Sequence, residues 1–210
     1  MSDKHEWRKK EKSLYLPKAK PEVVDVPEFN FITINGAGSP AEKTFILCIE
    51  ALYSIAYGIK MHAKKEQKMP AEYCDFTVYP LEGIWDLNDK AKENFTGTIN
   101  KQDLVYKLMI RQPNFIDQAF FDSIVDRVKQ KKSNLLLKQV KFETLTEGKC
   151  IQMLHLGRFE DEGATFEIME AFALDNNLKR LSKIHREIYL SDARKVAPEK
   201  LKTVLRFNVE

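Results

Sequence analysis

The alternation of apolar and polar positions predicts a chain of short strands punctuated by three helices. Phe29 to Asn35, Phe-Asn-Phe-Ile-Thr-Ile-Asn, has the composition and period of a strand and is stopped by Gly36-Ala37-Gly38. Ser39-Pro40-Ala41-Glu42 then has the form of a capping box with proline at the first helical position. The spacing predicts a helix running to Tyr57 or Lys60, its buried stripe formed by Phe45, Cys48, Ile49, Leu52 and Ala56. Tyr53 and Tyr57, one turn apart, flank that stripe as rim or pocket-roof aromatics. After a Lys-rich surface loop from Lys60 to Pro70, Tyr73 to Tyr79 and Gly83 to Leu87 have strand character interrupted near Pro80. Asp103 to Arg111 reads as a further strand. Pro113 and Asn114 open a second helix to about Lys132, carried by Phe115, Ala119, Phe120, Ile124 and Val128.

The second part of the chain repeats the first. Beyond a short strand at Gln139 to Phe142, Lys149 to Leu156 is a strand stopped by Gly157. A helix follows, opened by the acidic run Glu160 to Glu162 and carrying Phe166, Met169, Phe172 and Ala173. Gly36 precedes Phe45 by nine residues, and Gly157 precedes Phe166 by nine. Strands at Ile184 to Leu190 and Thr203 to Val209 complete the second copy. The expected fold is therefore α+β: duplicated strand-helix-strand-strand units about a pseudo-two-fold axis, an antiparallel sheet with helices on one side, and a largely apolar ligand cleft between the repeats. Residues 1–22 form an N-terminal arm, and residues 23–210 form one domain. Within it, repeat one spans about 29–111, a connecting helix about 113–132, and repeat two about 149–209.

Composition narrows the chemistry. Lys and Arg number 34 against 31 Asp and Glu, a balance too even to favour nucleic acid. The three cysteines, Cys48, Cys74 and Cys150, are far apart and in no Cys-x-x-Cys spacing, which suits small core residues in a reducing cytoplasm rather than a zinc site. No apolar run of signal-peptide length follows the basic start, and none is expected to span a membrane. Scattered anchors in the arm, Trp7, Leu14, Tyr15 and Leu16, favour its partial docking. No Gly-x-Gly-x-x-Gly, Walker or Gly-x-Ser-x-Gly pattern is present, so nucleotide binding and elbow-type hydrolysis lack support.

The candidate chemistry lies on Ile184 to Asp192. Alternation places Ile184, Arg186, Ile188 and Leu190 on one side of the strand and His185, Glu187 and Tyr189 on the other. A carboxylate between an imidazole and a phenol suits a pocket wall. The first half offers an echo in Tyr79-Pro80-Leu81-Glu82-Gly83-Ile84-Trp85, where Glu82 and Trp85 stand for Glu187 and Tyr189 and are expected to converge with them on one cleft. Tyr53, Tyr57, Tyr79 and Tyr106 join the expected lining. His185 and Glu187 lack the companion spacing of a metal site, and neither a metal nor a cofactor is expected. His155 is expected to be a hydrogen-bonded core or rim residue.

Three features carry a resemblance: the Glu-aromatic alternation on this strand, the stretches Pro198-Glu199-Lys200-Leu201-Lys202-Thr203 and Leu205-Arg206-Phe207-Asn208-Val209, and the duplicated plan. Over residues 22–210 the chain resembles the GyrI-like small-molecule-binding domain. Within it the chain looks like the stand-alone bacterial branch that includes cyclopropanoid cyclopropyl hydrolases. The resemblance implies a hydrophobic cleft between the repeats with an essential glutamate, matched by Glu187, and cellular protection against DNA-alkylating natural products. Relatives fused to DNA-binding helices act as drug-sensing regulators, and no room for such a domain is seen before Phe29.

Two functions stand open. In the first, Glu187 is a general base that activates water to open a strained ring. Tyr57, Tyr53 or Tyr189 then donates to the developing oxyanion, and Trp85 and Tyr79 stack on the substrate. In the second, the same glutamate and aromatics, with Glu82, Tyr106 and His185, hold a lipophilic cation without turnover. A protein-protein inhibitor of the gyrase-binding kind has only fold analogy behind it. The expected partner is an aromatic or lipophilic small molecule, with no nucleic acid, no membrane, and an oligomeric state that the sequence leaves open.

Overall fold

The computed structural model describes residues 4–65, 70 and 72–210; part of the Lys-rich loop expected over residues 60–70 lies outside them. In chain order the elements are α1 (Trp7–Lys10), α2 (Lys12–Tyr15), β1 (Glu22–Val26), β2 (Phe29–Ala37), α3 (Lys43–Ala63), β3 (Leu81–Leu87), α4 (Asp89–Glu93), β4 (Leu104–Gln112), α5 (Gln118–Lys131), β5 (Lys141–Leu145), β6 (Gly148–Leu156), α6 (Glu162–Asp175), β7 (His185–Tyr189) and β8 (Lys202–Asn208). They belong to the α+β class, and every strand pairing described below is antiparallel. The chain divides into two compact units. The first comprises Met1–Glu6, Phe29–Tyr79 and Asp86–Leu145, and the second Trp7–Glu28, Pro80–Trp85 and Thr146–Glu210.

In the first unit β2 lies between β4 and β5, with Ile32 opposite both Ile110 and Phe142. Helix α3 packs on β2, β4 and α5. Its buried face is Cys48, Ala51, Leu52, Ile55, Ala56, Ile59 and Ala63, rotated from the expected stripe so that Phe45 and Ile49 are only half-buried. By length and composition α3 would be able to cross a bilayer, contrary to the sequence expectation, but that buried face makes it a core helix of this unit. The expected capping box does not start it. Ser39 Oγ instead accepts from Ala41 N at 3.3 Å, closing a turn, and α3 begins after Glu42. The helix also runs on to Ala63, past the expected end. Tyr73 to Tyr79, expected as a strand, forms only a single bridge between Phe76 and His5. Helix α5 starts later than expected, at an Asp117 cap whose side chain accepts from Phe120 N. It buries Phe121, Ile124, Val125 and Val128, while Ala119 is exposed and Phe120 half-buried. Gly36 is required by close approach: it faces Tyr106 across the β2–β4 ladder, where a Cβ would lie only 2.3 Å from the phenol ring.

In the second unit the strand order is β1-β6-β8-β7-β3. Strand β1 starts at the end of the expected arm and lies in a stretch for which no element was expected. Register sorts this sheet into two faces, because partners across an antiparallel ladder point the same way and neighbours along a strand alternate. One face carries Met153, Leu205, Glu187 and Gly83 in a row, with His185 beside Trp85 and with Tyr189, Thr203 and His155 in flanking rows. Helix α6 covers part of it, Met169 and Ala173 closing over Ile151, Met153, Leu205 and Phe207. Burial at this apolar cluster contributes roughly 1.5–3 kcal/mol for each large side chain. The opposite face carries Glu82, Arg186, Arg206 and Gln152 under the arm, whose Trp7 and Tyr15 are both buried and in ring contact at 5.3 Å. Gly157, with φ 134°, lies outside the range that side chains favour and turns the chain from β6 toward α6.

Candidate functional site

The site is built on the α6-facing side of the second unit. Strand β7 places His185, Glu187 and Tyr189 there, as the sequence alternation predicts, and β3 places Trp85 there as the partner of His185. Trp85 Nε1 donates to Tyr189 Oη at 2.8 Å. Glu187 lies beside Tyr189, and its charge acts on the phenol. Glu187 Oε1 lies 3.2 Å from His185 Nε2. Gly83 faces Glu187 across the ladder and leaves bare backbone beside the carboxylate. Phe166 meets the His185 ring edge-on at 4.8 Å, and Phe159 meets Tyr189 at 6.0 Å.

A second carboxyl completes the cluster. Glu162, in the first turn of α6, is 8% exposed, as is Glu187. Burial first, then the charge of Glu187, then that of Glu160, push the Glu162 carboxyl up to about 10. Its side chain lies beside Glu187, and its Oε1 meets no hydrogen-bond partner among the described residues. A carboxyl raised that far keeps its proton at neutral pH, so Glu162 stands beside Glu187 as a potential hydrogen-bond donor. Burial, with Glu187 second, likewise raises the Tyr189 phenol well above its ordinary range, so this residue is a donor rather than a source of phenolate. Sequence reasoning missed Glu162 by treating Glu160 to Glu162 as helix-opening charge. The signal was its position four residues before Phe166 and seven before Met169, in line with the buried stripe of α6.

Glu82 is a correction. It stands three residues before Trp85, so the two side chains leave β3 on opposite faces, and Glu82 cannot share a face with Glu187. It is 1% exposed and pairs with Arg186, Nη1 to Oε2 at 3.1 Å, while Tyr15 Oη donates to its Oε1 at 3.4 Å. Tyr106 is likewise a core residue: it packs edge-on to Phe45 at 5.1 Å, and burial, ahead of the nearby Cys48, raises its phenol to about 12. Tyr79 is buried, 3.2 Å from His5 Nε2 and beneath the Arg111 guanidinium at 4.7 Å. Tyr53 and Tyr57 stack on α3 with ring centres 6.1 Å apart, Tyr57 being more than half exposed. All four tyrosines belong to the first unit. His155 is a satisfied buried residue, Nδ1 2.8 Å from Thr165 Oγ1 and Nε2 2.8 Å from the Arg158 carbonyl. No group of three or more His, Cys, Asp and Glu suited to a metal ion occurs among the described residues. A surface hollow of about 460 Å³ in the first unit, lined by Leu87, Lys90, Phe95, Ile99 and Asp103 among others, contains no comparable cluster of buried acids.

Residues 19–210 match the GyrI-like small molecule binding domain. The chain belongs to that family. A hydrolase from Listeria innocua is 34% identical, superimposes with a TM-score of 0.86, and the match covers 98% of this chain and 100% of that one. Another solved Listeria innocua hydrolase structure, also 34% identical, gives a TM-score of 0.88 over 99% of this chain and 100% of that one. The C-terminal domain of EcmrR, at 12% identity and a TM-score of 0.52 over 91% of this chain and 97% of that one, shares the fold. No curated protein sequence matches the chain. In this GyrI-like protein Glu187 is the carboxyl whose charge, after burial, acts on both Tyr189 and Glu162.

Proposed function

We propose that the cluster around Glu187 binds a planar aromatic molecule and hydrolyses a strained cyclopropane ring conjugated to a carbonyl. The observation that carries the reading is the pair of buried carboxyls, Glu187 and Glu162, beside the rings of Trp85, Tyr189 and Phe166, with the Glu162 carboxyl raised by burial and by Glu187 so that it keeps its proton. Two carboxyls held in opposite protonation states are what acid-base chemistry near neutral pH requires. Glu187 removes a proton from water as the water oxygen attacks a cyclopropane carbon. The ring carbon-carbon bond breaks, and its electron pair passes through the conjugated system to the carbonyl oxygen, which takes a proton from Glu162 or solvent. Tyr189 steadies the cluster through its bond to Trp85. No cofactor enters the step. The likeness to Listeria hydrolases at 34% identity supports hydrolytic chemistry of this general kind, and a protective, detoxifying role in the cytoplasm, where the three free thiols are stable, is part of the same proposal.

A second reading is favoured by one feature of the same cluster. Among the described residues neither carboxyl has a Lys or Arg partner, a setting among aromatic rings that suits a lipophilic monocation held without turnover. Glu187→Gln separates the two. It keeps size and hydrogen-bonding capacity but cannot take a proton from water. Hydrolysis predicts a loss of roughly 100-fold or more in turnover of a cyclopropane-bearing alkylator, with binding of neutral aromatics retained. Cation holding predicts no turnover in either form and weakened binding of cationic dyes alone. Unchanged turnover in the variant removes Glu187 from the mechanism.

A further inference from the structure

The back of the site strand carries a closed circuit of polar contacts. Tyr15 Oη donates to Glu82 Oε1 at 3.4 Å, and Arg186 Nη1 reaches Glu82 Oε2 at 3.1 Å. Arg186 Nε lies 3.2 Å from Glu147 Oε1, close enough for ion pairing though not aligned for a hydrogen bond. The other Glu147 oxygen accepts from Arg206 Nη1 at 2.9 Å, and Arg206 Nη2 donates to the Leu14 carbonyl at 2.6 Å. The circuit thus begins on Tyr15 and ends on Leu14, adjacent residues of α2. Gln152 adds a third attachment: its Oε1 accepts from Arg206 at 2.7 Å, and its Nε2 donates to the Ser13 carbonyl at 2.5 Å. Glu82, Arg186 and Arg206 sit on β3, β7 and β8, three neighbouring strands of this unit's sheet, and Gln152 sits on β6 beside them.

The placement matters because β3 and β7 are joined over only four residue pairs, Glu82–Trp85 against His185–Ile188. The face of those pairs toward α6 bears Trp85, His185 and Glu187. The other face bears Glu82 and Arg186, so one short ladder holds the site on one side and the circuit on the other. A one-residue slip there would send every side chain to the wrong face. Glu82, Glu147, Arg186 and Arg206 are two acids and two bases, each nearly inaccessible to water, and the arm completes their cover. Partly satisfied buried networks are the costly ones, so the contacts that complete this network carry disproportionate weight.

We propose that Ser13-Leu14-Tyr15 is a positioning segment for the site, acting through Glu82 and Arg186 to fix the β3–β7 ladder and hence the Trp85–Tyr189–Glu187 arrangement. The proposal rests on the reading of that cluster as a ligand site, but its test does not. The segment touches no ligand. It holds the strand between Glu187 and its backing in one register, so that displacing the arm loosens the site before it unfolds the unit.

The test is amide hydrogen exchange, without ligand, on the full-length wild type, Tyr15→Phe and Glu82→Gln. Tyr15→Phe keeps the packing on Trp7 and removes only the phenol proton donor. Exchange at the β3–β7 ladder should quicken by about threefold to fivefold, the worth of one hydrogen bond, while the β2–β4 ladder and the Val24–Val26 end of β1 stay as in wild type. Glu82→Gln should exceed tenfold at the same amides, and the double variant should fall short of the product of the two. Equal acceleration throughout the second unit would mean a merely structural arm and would overturn the proposal, as would an unchanged ladder in both single variants. Binding of a neutral planar dye is measured in parallel. A quickened ladder without dye binding in wild type keeps the positioning role and removes the ligand site, whereas dye binding with an undisturbed ladder does the reverse.

Discussion

Replacing Glu162 with Gln removes one buried titration, and its effect on stability has a definite sign. In the unfolded chain this carboxyl titrates near the ordinary 4.5, and in the folded protein burial and Glu187 push it to about 10. A group whose folded value is raised contributes its full stabilisation below the unfolded value and loses it as pH rises toward the folded one. Each pH unit in that window withdraws about 1.4 kcal/mol, so from pH 5 to pH 8 wild type should lose about 2–4 kcal/mol through this group, allowing for its coupling to Glu187. That is a large part of a total stability of roughly 5–15 kcal/mol. Gln keeps the shape and an N–H donor for Glu187 and has nothing to titrate. Urea unfolding of wild type and Glu162→Gln at pH 5, 6, 7 and 8 should show the difference moving steadily in favour of the variant, by about 1 kcal/mol per pH unit. A difference that stays constant with pH, or that moves in favour of wild type, would refute the assignment of the proton to Glu162.

Gly36→Ala should destabilise the first unit by about 1–3 kcal/mol, because the added Cβ must displace the Tyr106 ring, and thermal unfolding reads this directly. Among the thiols, Cys48 and Cys150 are buried, and burial, ahead of the Glu147 charge, pushes the Cys150 thiol to about 12. Only Cys74 should therefore react with a disulfide reagent in the native protein at pH 8, and all three after unfolding. Fast native reaction at three sites would contradict the packing described.

The strand alternation of Ile184 to Leu190 was legible because a period of two is local and survives any tertiary context. It placed His185, Glu187 and Tyr189 on one face, and the structure adds Trp85 to them by pairing His185 with it. What failed was also physical. Likening Glu82-x-x-Trp85 to Glu187-x-Tyr189 compared a spacing of three with one of two, and on a strand those differ by a face. The capping box at Ser39 was chemically sound, but it serves a turn before Glu42, because side-chain capping is equally available to turns and helix starts. The arm showed apolar anchors but no hint that Leu14 and Ser13 offer carbonyls to Arg206 and Gln152, since backbone acceptors carry no sequence signal. Strand β1 was missed because five residues between Pro21 and Pro27 alternate too briefly to stand out from a linker.

The proposed ligand lies against Trp85, Tyr189 and Glu187, and the protein contains two tryptophans, Trp7 in the arm and Trp85 in the site. Each can be watched alone, in Trp85→Phe and in Trp7→Phe. Titration with a neutral planar aromatic dye should quench Trp7→Phe emission saturably, with one site per chain, and leave the emission of Trp85→Phe unchanged. Saturable quenching that persists in Trp85→Phe and is absent from Trp7→Phe would place the ligand on the other face of the sheet and contradict the account.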